Sequence, residues 1–102
     1  MPKQRRISWR HAARQDLAAI VDHISEDSPK AADGLPDAIE RALDVVARFP
    51  MIFRESERMP GTHEVPVFGS FLLFYRVHKD TVDIIGITHG RRNFPITDWK
   101  DR

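Results

Sequence analysis

The fold of this chain is decided by two neighbouring apolar stretches, Ser70-Phe71-Leu72-Leu73-Phe74-Tyr75-Arg76-Val77 and Thr81-Val82-Asp83-Ile84-Ile85-Gly86-Ile87-Thr88. Both are rich in aromatic and β-branched residues, a composition typical of strands in a sheet whose two faces are partly covered. Only His78, Lys79 and Asp80 separate them. The sequence therefore predicts an antiparallel β-hairpin.

A tight turn between the two stretches would fix the register of this hairpin. It sets Arg76 directly opposite Asp83, an opposite-charge pair that favours this register over its neighbours. At the far end of the hairpin, the same register pairs Ser70 with His89.

In that register the hairpin is apolar on both faces. The helix-covered face would carry Phe71, Leu73, Tyr75, Val77, Val82 and Ile84, and the other face Leu72, Phe74, Ile85 and Ile87. A layer of helices can cover only one face, so the second would form an apolar patch that is unusual for a free monomer. A bulge at Gly86 would shift Ile85 and Ile87 inward and reduce this patch. The second face is therefore a candidate binding surface for a partner.

Two amphipathic helices are predicted before the hairpin, because apolar residues recur at spacings of three and four. The two sets are Ala13, Leu17, Ile20 and Ile24, followed by Leu35, Ile39, Ala42, Val46 and Phe49. Ser28-Pro29 ends the first helix and gives the second an N-cap and a proline at its first position. Pro36 either kinks the second helix or marks the start of its regular part. The short connection predicts an antiparallel helical hairpin.

Two further strand candidates complete the layout. Arg5 to Trp9 precedes the helices, and Glu64 to Phe68 precedes the β-hairpin, where Pro66 indicates an edge or bulged strand. The order predicts an α+β fold, with an N-terminal strand and an antiparallel helical hairpin packed on a three- to four-stranded antiparallel sheet. Residues 1–102 form a single domain in this interpretation, and residues 95–102 form a short C-terminal tail.

Composition limits the classes of function. The 102 residues are 41% apolar and 30% charged, as in globular proteins. No stretch reaches the ~18 apolar residues of a membrane helix, and no signal peptide is visible, so we expect a cytoplasmic protein without a membrane partner. The lack of cysteine excludes disulfides and thiolate chemistry. The five histidines show no metal-ligand spacing. We therefore expect neither a metal nor a cofactor.

Charge is distributed unevenly along the chain. Five basic residues precede the first acid, namely Lys3, Arg5, Arg6, Arg10 and Arg14. Residues 16–44 then hold eight acids against Lys30 and Arg41. This pattern predicts an acidic helical side and a basic sheet side that would attract an anionic partner. Solvated helix faces would produce the same pattern, and the sequence leaves both interpretations open.

Several short sequence pieces stand in this chain in an order and spacing typical of one protein family. They are Asp16-Leu17, Ile20, Ile24, Ala31-Ala32, Phe49-Pro50, Arg58, Val65-Pro66-Val67, Phe71, Leu73, Phe74-Tyr75-Arg76-Val77, Ile84-Ile85 and His89-Gly90-Arg91-Arg92. With them, the chain from Ile7 to Phe94 resembles the RelE/ParE superfamily of bacterial toxin components, and the ParE branch more closely. The resemblance implies a small toxin that a cognate antitoxin holds inactive, with contact to DNA only through the antitoxin.

The resemblance also implies alternative targets. ParE-like members inhibit DNA gyrase by binding, whereas RelE-like members cut messenger RNA on the ribosome. A third possibility is a member that has lost toxicity and only binds its antitoxin. The presence or absence of the side chains that RNA cleavage requires distinguishes between these functions.

The residues favour inhibition of gyrase by binding. Ribonuclease chemistry needs basic side chains around the phosphate together with a general acid and base, and the resemblance to RelE implies a tyrosine near the C-terminus. Asn93-Phe94 stands there instead, and the only tyrosine, Tyr75, lies in an apolar strand. The alternative, a ribosome-dependent endoribonuclease, has as its candidate catalytic residues Arg58, Arg76, His89 and Arg91.

Two binding surfaces are predicted for the gyrase inhibitor. The basic end of the sheet and the tail would bind the target, through His89, Arg91, Arg92 and Trp99, because arginine and aromatic side chains dominate protein-binding hot spots. For Trp99, packing back onto the domain is the alternative. The antitoxin would bind the second face of the hairpin, at Leu72, Phe74, Ile85 and Ile87, with a helix or added strand that folds on binding.

Overall fold

The computed structural model describes residues 4–91, Trp99 and Arg102. Its elements are β1 (Arg6–Trp9), α1 (His11–Asp27), α2 (Pro29–Arg48), β2 (His63–Val67), β3 (Phe71–Val77) and β4 (Thr81–His89). The strands form one sheet in the order β1-β4-β3-β2, and both helices pack on the same face of it. The predicted α+β fold is confirmed.

The sheet is mixed rather than antiparallel throughout. β2, β3 and β4 pair antiparallel as expected. β1 lies parallel to β4, with Ile7 beside Val82 and Trp9 beside Ile84. Parallel neighbours need a long crossover connection, which the chain from α1 to β3 provides. The N-terminal strand therefore becomes one edge of the sheet.

The helical hairpin is connected by Ser28 alone. The Ser28 hydroxyl accepts a backbone hydrogen bond from the first turn of α2 (3.2 Å), and Pro29 opens that helix, as predicted. α2 then runs without interruption through Pro36, so its regular part does not start there. Gly34 is explained by packing: a Cβ at this position would lie 3.1 Å from the ring of Phe68, in the turn after β2.

The predicted hairpin register holds near the turn. Arg76 lies opposite Asp83, and Tyr75 lies opposite Ile84. A β-bulge then interrupts the pairing, because Ile85 is an extra residue that has no single partner on β3.

The bulge changes the far half of the hairpin. Phe71, rather than Ser70, lies opposite His89, so that part of the predicted register is wrong by one residue. Ile87 lies opposite Leu73 and turns toward the helices, because one inserted residue reverses which face the following side chains occupy.

Apolar side chains are buried on both faces of the sheet. The larger cluster lies between the helices and the sheet and includes Leu35, Ile39, Val46, Leu73 and Ile84. A smaller cluster covers the opposite face, which we call the open face, and consists of Met59, Phe74, Ile85 and Trp99, with Leu72 partly buried beside them. This second cluster decides which predicted sites are accessible.

Candidate functional site

The end of β4 brings two predicted target-binding residues together. The half-buried ring of His89 meets Phe71 edge to face, with ring centroids 5.4 Å apart. Its Nδ1 accepts a hydrogen bond from the backbone N–H of Arg91 (3.0 Å), whose side chain is exposed. Arg92 lies outside the described residues. The end of β4 thus presents one exposed guanidinium beside an imidazole.

Trp99 does not join them. It is only 2% exposed and packs edge to face on Phe74, with ring centroids 5.7 Å apart, on the open face. His89 follows Ile87 on the helix side of the bulged strand. Trp99 therefore packs back onto the domain and lies on the opposite face of the sheet from His89.

The four residues predicted to bind the antitoxin do not form an exposed patch. Phe74 and Ile85 are fully buried, and Leu72 is partly buried in the same cluster. Ile87 lies on the helix side, 2% exposed. The expectation of an exposed apolar face is wrong because Met59 and Trp99 cover it and the bulge removes Ile87 from it. Antitoxin binding at these residues stays a prediction.

Trp99 is held by two close neighbours. A Cβ at Gly86 would lie 2.6 Å from the indole, so only glycine admits the ring at this distance. The guanidinium carbon of Arg102 stacks 4.3 Å from the indole centroid. Arg102 also forms an ion pair with Asp16 of α1, and its carbonyl accepts a hydrogen bond from Arg76 (3.0 Å). Trp99 and Arg102 are thereby tied to α1, β3 and β4.

Arg58 belongs to a cluster around a buried carboxylate. The side chain of Glu64 is 2% exposed, and its Oε1 accepts hydrogen bonds from Arg54 (2.6 Å) and Arg58 (2.5 Å). The Ser56 hydroxyl donates to Oε2 (2.9 Å). Burial of an ionised group requires such partners, so this cluster has a structural role.

The remaining residues of the ribonuclease alternative lie far apart. Arg76 is opposite Asp83 near the hairpin turn, whereas His89 is opposite Phe71 at the other end of β3. Arg76 and Phe71 are five positions apart along β3, which corresponds to roughly 16 Å. Arg91 follows His89, so it too is remote from Arg76.

An exposed apolar segment follows α2. Among the described residues, the large hydrophobic side chains that remain exposed are Val45, Phe49, Met51 and Ile52, at 39%, 51%, 65% and 60%. We call residues 49–52 the crossing segment, because it leads from the end of α2 toward the edge of β2. Its backbone is fixed by the core, since the buried Tyr75 hydroxyl donates to the Pro50 carbonyl (2.8 Å). The side chains of Phe49, Met51 and Ile52 are exposed although the backbone of the segment is anchored.

The family of the chain follows from its sequence between residues 7 and 94. A model of the family described as ParE toxin of type II toxin-antitoxin system, parDE, matches residues 7–94. The chain belongs to this ParE toxin family.

Two curated proteins are similar to this ParE-family chain over most of their length. A protein named toxin Y4kP, from Sinorhizobium fredii, is 29% identical over 93 residues, covering 90% of this chain and 95% of the relative. Toxin RelE2 from Caulobacter vibrioides is 31% identical over 88 residues, covering 84% and 96%. The matching family model thus carries the ParE name, whereas one of these two relatives carries the RelE name.

Two solved structures share the fold. The chromosomal ParDE toxin-antitoxin system from P. aeruginosa matches with a TM-score of 0.71 at 23% identity, covering 85% of this chain and 97% of that one. The RelBE2 toxin-antitoxin complex from Mycobacterium tuberculosis matches with a TM-score of 0.57 at 22% identity, covering 84% and 91%. At these identities the likeness concerns the fold alone.

Residues 4–91, Trp99 and Arg102 of this ParE-family chain contain neither a metal-binding cluster nor a helix that could span a membrane. No group of three or more histidine, aspartate or glutamate side chains there could hold a metal ion. Neither of the two helices is long and apolar enough to span a membrane.

The sequence pattern does not predict the crossing segment as a surface, because Phe49 fits the apolar periodicity of α2 and was therefore expected in the core. In the structure that residue is the C-cap, and its side chain is half exposed. The available signal was the run Met51-Ile52-Phe53, three large apolar residues placed between Pro50 and the polar stretch that begins at Arg54. Apolar residues outside any periodic element indicate either a covered loop or an interaction surface.

Proposed function

We propose that this ParE-family toxin inhibits DNA gyrase by binding it, and that a cognate antitoxin neutralises the toxin. The observation that carries the proposal is the separation of Arg76 from His89. A phosphoryl-transfer site needs its cations and its acid or base around one phosphate. Side chains rooted roughly 16 Å apart along a strand do not converge on one phosphate.

Two further residues that a ribonuclease would need are engaged in structure: Arg58, a member of the candidate catalytic set, and Tyr75, the tyrosine of the chain. Arg58 donates to the buried carboxylate of Glu64, which supports a packing role for this arginine. Burial raises the pKa of Tyr75 to about 12, far from the neutral pH at which a general acid or base works well. Its hydroxyl is also committed to the Pro50 carbonyl. These contacts favour a function by binding over a function by RNA cleavage.

The crossing segment supports a protein target. Phe49, Met51 and Ile52 are exposed, and Arg54, whose side chain is 72% exposed, follows them. Aromatic, methionine and arginine side chains are enriched at protein interfaces, and an anchored backbone lowers the entropy lost on binding. We infer that gyrase contacts this segment, together with His89 and Arg91 at the end of β4. Arg92, outside the described residues, belongs to the same proposal.

Two of the predicted contacts depend on the open face. Trp99 as a target contact, and Phe74 with Ile85 as antitoxin contacts, would require the indole to leave the cluster it now fills. Ile87 lies in the helix-side core and would not become accessible by that movement. Within this group, Leu72 is the partly exposed member and remains the most accessible antitoxin contact.

The proposed function is tested by adding the purified chain to gyrase and measuring DNA supercoiling, while cellular messenger RNA ends are mapped after induction. Inhibited supercoiling with intact messages supports the proposal. Codon-positioned cuts in messages with unaffected supercoiling would overturn it in favour of the ribonuclease. Absence of both effects would overturn it in favour of a chain that only binds its antitoxin.

A further inference from the structure

A cleft lies beside the crossing segment, at the β2 side of the sheet. It has a volume of about 400 Å³ and is lined by residues 52–54, Arg58, Glu64, Pro66 and Leu72. We call it the β2 cleft. Pockets of roughly 300–1,000 Å³ hold small ligands, so this one is large enough for a single large side chain of a partner protein.

The floor of the β2 cleft is apolar. Pro66 lies directly opposite Leu72, and the neighbouring pair is Val65 with Leu73. Because side chains alternate along a strand and the second pair packs in the helix-side core, the first pair lies on the open face. Pro66 is exposed and Leu72 is partly exposed. Ile52, which is 60% exposed, lines the cleft beside them. The cleft therefore offers accessible apolar surface.

Two guanidiniums give the β2 cleft a positive charge. Arg54 and Arg58 both donate to Oε1 of Glu64, so two cations share one carboxylate. The side chain of Glu64 is 2% exposed and is therefore closed to a ligand. The other acids of this loop, Glu55 and Glu57, do not line the cleft. An anionic group that enters the cleft thus meets an excess of positive charge.

Arg54 has a donor directed away from its internal partner. Its side chain is 72% exposed, and its Nε and Nη2 bind Glu64 (2.9 and 2.6 Å). Its Nη1 makes no hydrogen bond to any described residue. Because the ion pair with Glu64 already fixes the guanidinium, a ligand carboxylate at Nη1 gains a charge-assisted hydrogen bond at little cost in side-chain entropy.

The backbone of β2 does not favour an added strand at this cleft. The N–H of Glu64 points outward and donates to the Arg54 carbonyl (3.1 Å). Alternate residues of a strand direct their backbone groups the same way, so the next outward N–H would belong to Pro66, which has none. An added strand would lack that donor. Recognition at the cleft therefore depends on side chains.

We propose that the β2 cleft receives a large apolar side chain of gyrase, and that a neighbouring carboxylate of gyrase binds Nη1 of Arg54. The identity of the partner rests on the proposed function, whereas the chemistry of the ligand rests on the cleft alone. Ile52 belongs to both the cleft and the crossing segment, so the two form one continuous surface. An antitoxin bound at Leu72 would cover the same floor and exclude gyrase, in keeping with neutralisation.

Two other occupants fit less well. A nucleic acid would bring a phosphate to Arg54, but its sugar-phosphate backbone has no large apolar group to gain free energy at the floor of Pro66 and Leu72. A second copy of the chain, related by a two-fold axis at this cleft, would bring its own Arg54 toward that of the first. A protein surface with an apolar side chain beside a carboxylate satisfies both the floor and the guanidinium.

The apolar contact is tested by filling the cleft. The chain has no cysteine, so Pro66→Cys introduces a single thiol at the floor. Benzyl methanethiosulfonate attaches a benzyl group there through a disulfide that dithiothreitol removes. The blocked protein should inhibit supercoiling at least tenfold less strongly than the same variant after reduction.

Lys30→Cys with the same benzyl group is the matched control. Lys30 is exposed at the other end of α2, so blocked and reduced forms of this variant should inhibit equally. Equal inhibition by the blocked and reduced forms of Pro66→Cys would overturn the proposal. A dimer of the unmodified chain that the benzyl group at position 66 dissociates would assign the cleft to a second copy, and would also overturn it.

The carboxylate contact is tested by binding to immobilised gyrase in the absence of DNA. Arg54→Gln should weaken binding at least tenfold and reduce its salt dependence, because it removes the cation. Arg54→Lys keeps the charge and should bind more tightly than Arg54→Gln. Arg41→Gln, the same change at an exposed position of α2, should bind like the unmodified chain. Urea denaturation verifies that each variant is folded. Equal affinities of Arg54→Gln and Arg41→Gln, or binding that requires DNA, would contradict the protein carboxylate.

The ligand chemistry is tested without gyrase. The acetylated dipeptide amide leucyl-glutamate should shift the amide NMR signals of Ile52, Arg54 and Leu72. The corresponding leucyl-lysine dipeptide should bind at least fivefold more weakly, because its charge has the wrong sign. Equal affinities, or shifts confined to other parts of the chain, would refute the proposed chemistry of the cleft.

The fate of the proposed function is read from supercoiling by the unmodified chain. Gyrase inhibition that survives the benzyl group at position 66 would overturn the cleft and leave the toxin proposal intact. Dipeptide binding without gyrase inhibition would support the chemistry of the cleft and count against gyrase as its occupant.

Discussion

Arg102 and Asp16 form a two-point ion pair that closes the edge of β4 where β1 ends. Nη1 of Arg102 lies 2.6 Å from Oδ2 of Asp16, and Nη2 lies 3.2 Å from Oδ1. β1 stops at Trp9, opposite Ile84, so beyond that point no described strand lies on this side of β4. There the N–H of Ile87 donates to Oδ2 of Asp16 (3.1 Å). The side chains of Asp16 and Arg102 thus make hydrogen bonds to the β4 backbone that a neighbouring strand would otherwise make.

Removal of Arg102 and removal of Asp16 should both destabilise the fold, and removal of Asp16 should cost more. Arg102→Ala deletes the ion pair and should lower the free energy of unfolding by about 2 kcal/mol, the usual scale for hydrogen bonds to charged groups. Asp16→Ala should cost more, because it also leaves the N–H of Ile87 without its acceptor. Urea denaturation with an unchanged m-value measures both. Arg41→Ala, an exposed arginine without an ion pair among the described residues, should change stability by less than about 0.5 kcal/mol.

Gly86 and Trp99 should show strong energetic coupling. Gly86→Ala places a methyl group where the indole now lies, so it should cost about 1–3 kcal/mol by overpacking. Trp99→Ala should cost about 3–5 kcal/mol by leaving a cavity over Phe74. In the double variant the alanine at position 86 meets no ring, so the part of its cost that comes from the indole should disappear, whereas the close approach to Nη1 of Arg102 (2.6 Å) stays. Additive costs in urea denaturation would show that Trp99 does not pack on Gly86.

The local pattern of the hairpin was sufficient to predict most of the fold. The charge pair Arg76–Asp83 and the short turn fixed the register near Tyr75 correctly. The helical hairpin followed from the spacing of apolar residues and from Ser28-Pro29. These features depend on neighbours in the sequence, which is why periodicity and capping were enough to find them.

The candidate site depended on contacts that are distant in sequence. Gly86 suggested a bulge that would turn both Ile85 and Ile87 inward, but the extra residue is Ile85, and only Ile87 turns toward the helices. Nothing local gives that position, since a bulge is defined by the strand opposite it. That Trp99 covers Phe74 and Arg102 reaches Asp16 follows only from tertiary packing. The predicted exposed face failed for this reason: its cover comes from residues outside the hairpin.

Glu64 should be essential for the loop before β2. Glu64→Gln removes the charge that holds Arg54 and Arg58, and leaves a buried amide among groups arranged for a carboxylate. We expect a loss of about 3 kcal/mol, typical of breaking a buried ion pair from one side. Thermal unfolding of the variant checks this. Glu57→Gln, an exposed neutralisation in the same loop, is the matched control, and an equal loss in both variants would refute the structural role of Glu64.

Stability should fall at alkaline pH through Tyr75. Its pKa is raised to about 12 by burial, against 10.0 for the ordinary phenol. Below pH 10 both the folded and the unfolded chain hold the proton, so this group adds no pH dependence. Between pH 10 and 12 the unfolded chain releases the proton and the folded chain retains it, so stability decreases as pH rises.

The chain has one tyrosine, so absorbance at the phenolate band reports this group alone. Titration of the wild-type chain should show ionisation near pH 12 or together with unfolding. Tyr75→Phe should abolish the additional alkaline loss of stability, while costing about 1 kcal/mol at neutral pH for the hydrogen bond to Pro50. Ionisation near pH 10 in the folded state would contradict the buried position of the hydroxyl.

The crossing segment should control gyrase inhibition without controlling stability. Met51 and Ile52 are 65% and 60% exposed, so replacing both with alanine removes little buried area and should leave the free energy of unfolding within about 0.5 kcal/mol. If gyrase covers them, the loss should be at least about 2 kcal/mol of binding, which raises the half-inhibitory concentration in a supercoiling assay more than tenfold. Lys30→Ala, an exposed truncation at the other end of α2, should leave inhibition unchanged. A double variant that inhibits supercoiling as well as the wild-type chain would move the target surface away from this segment and toward Arg91.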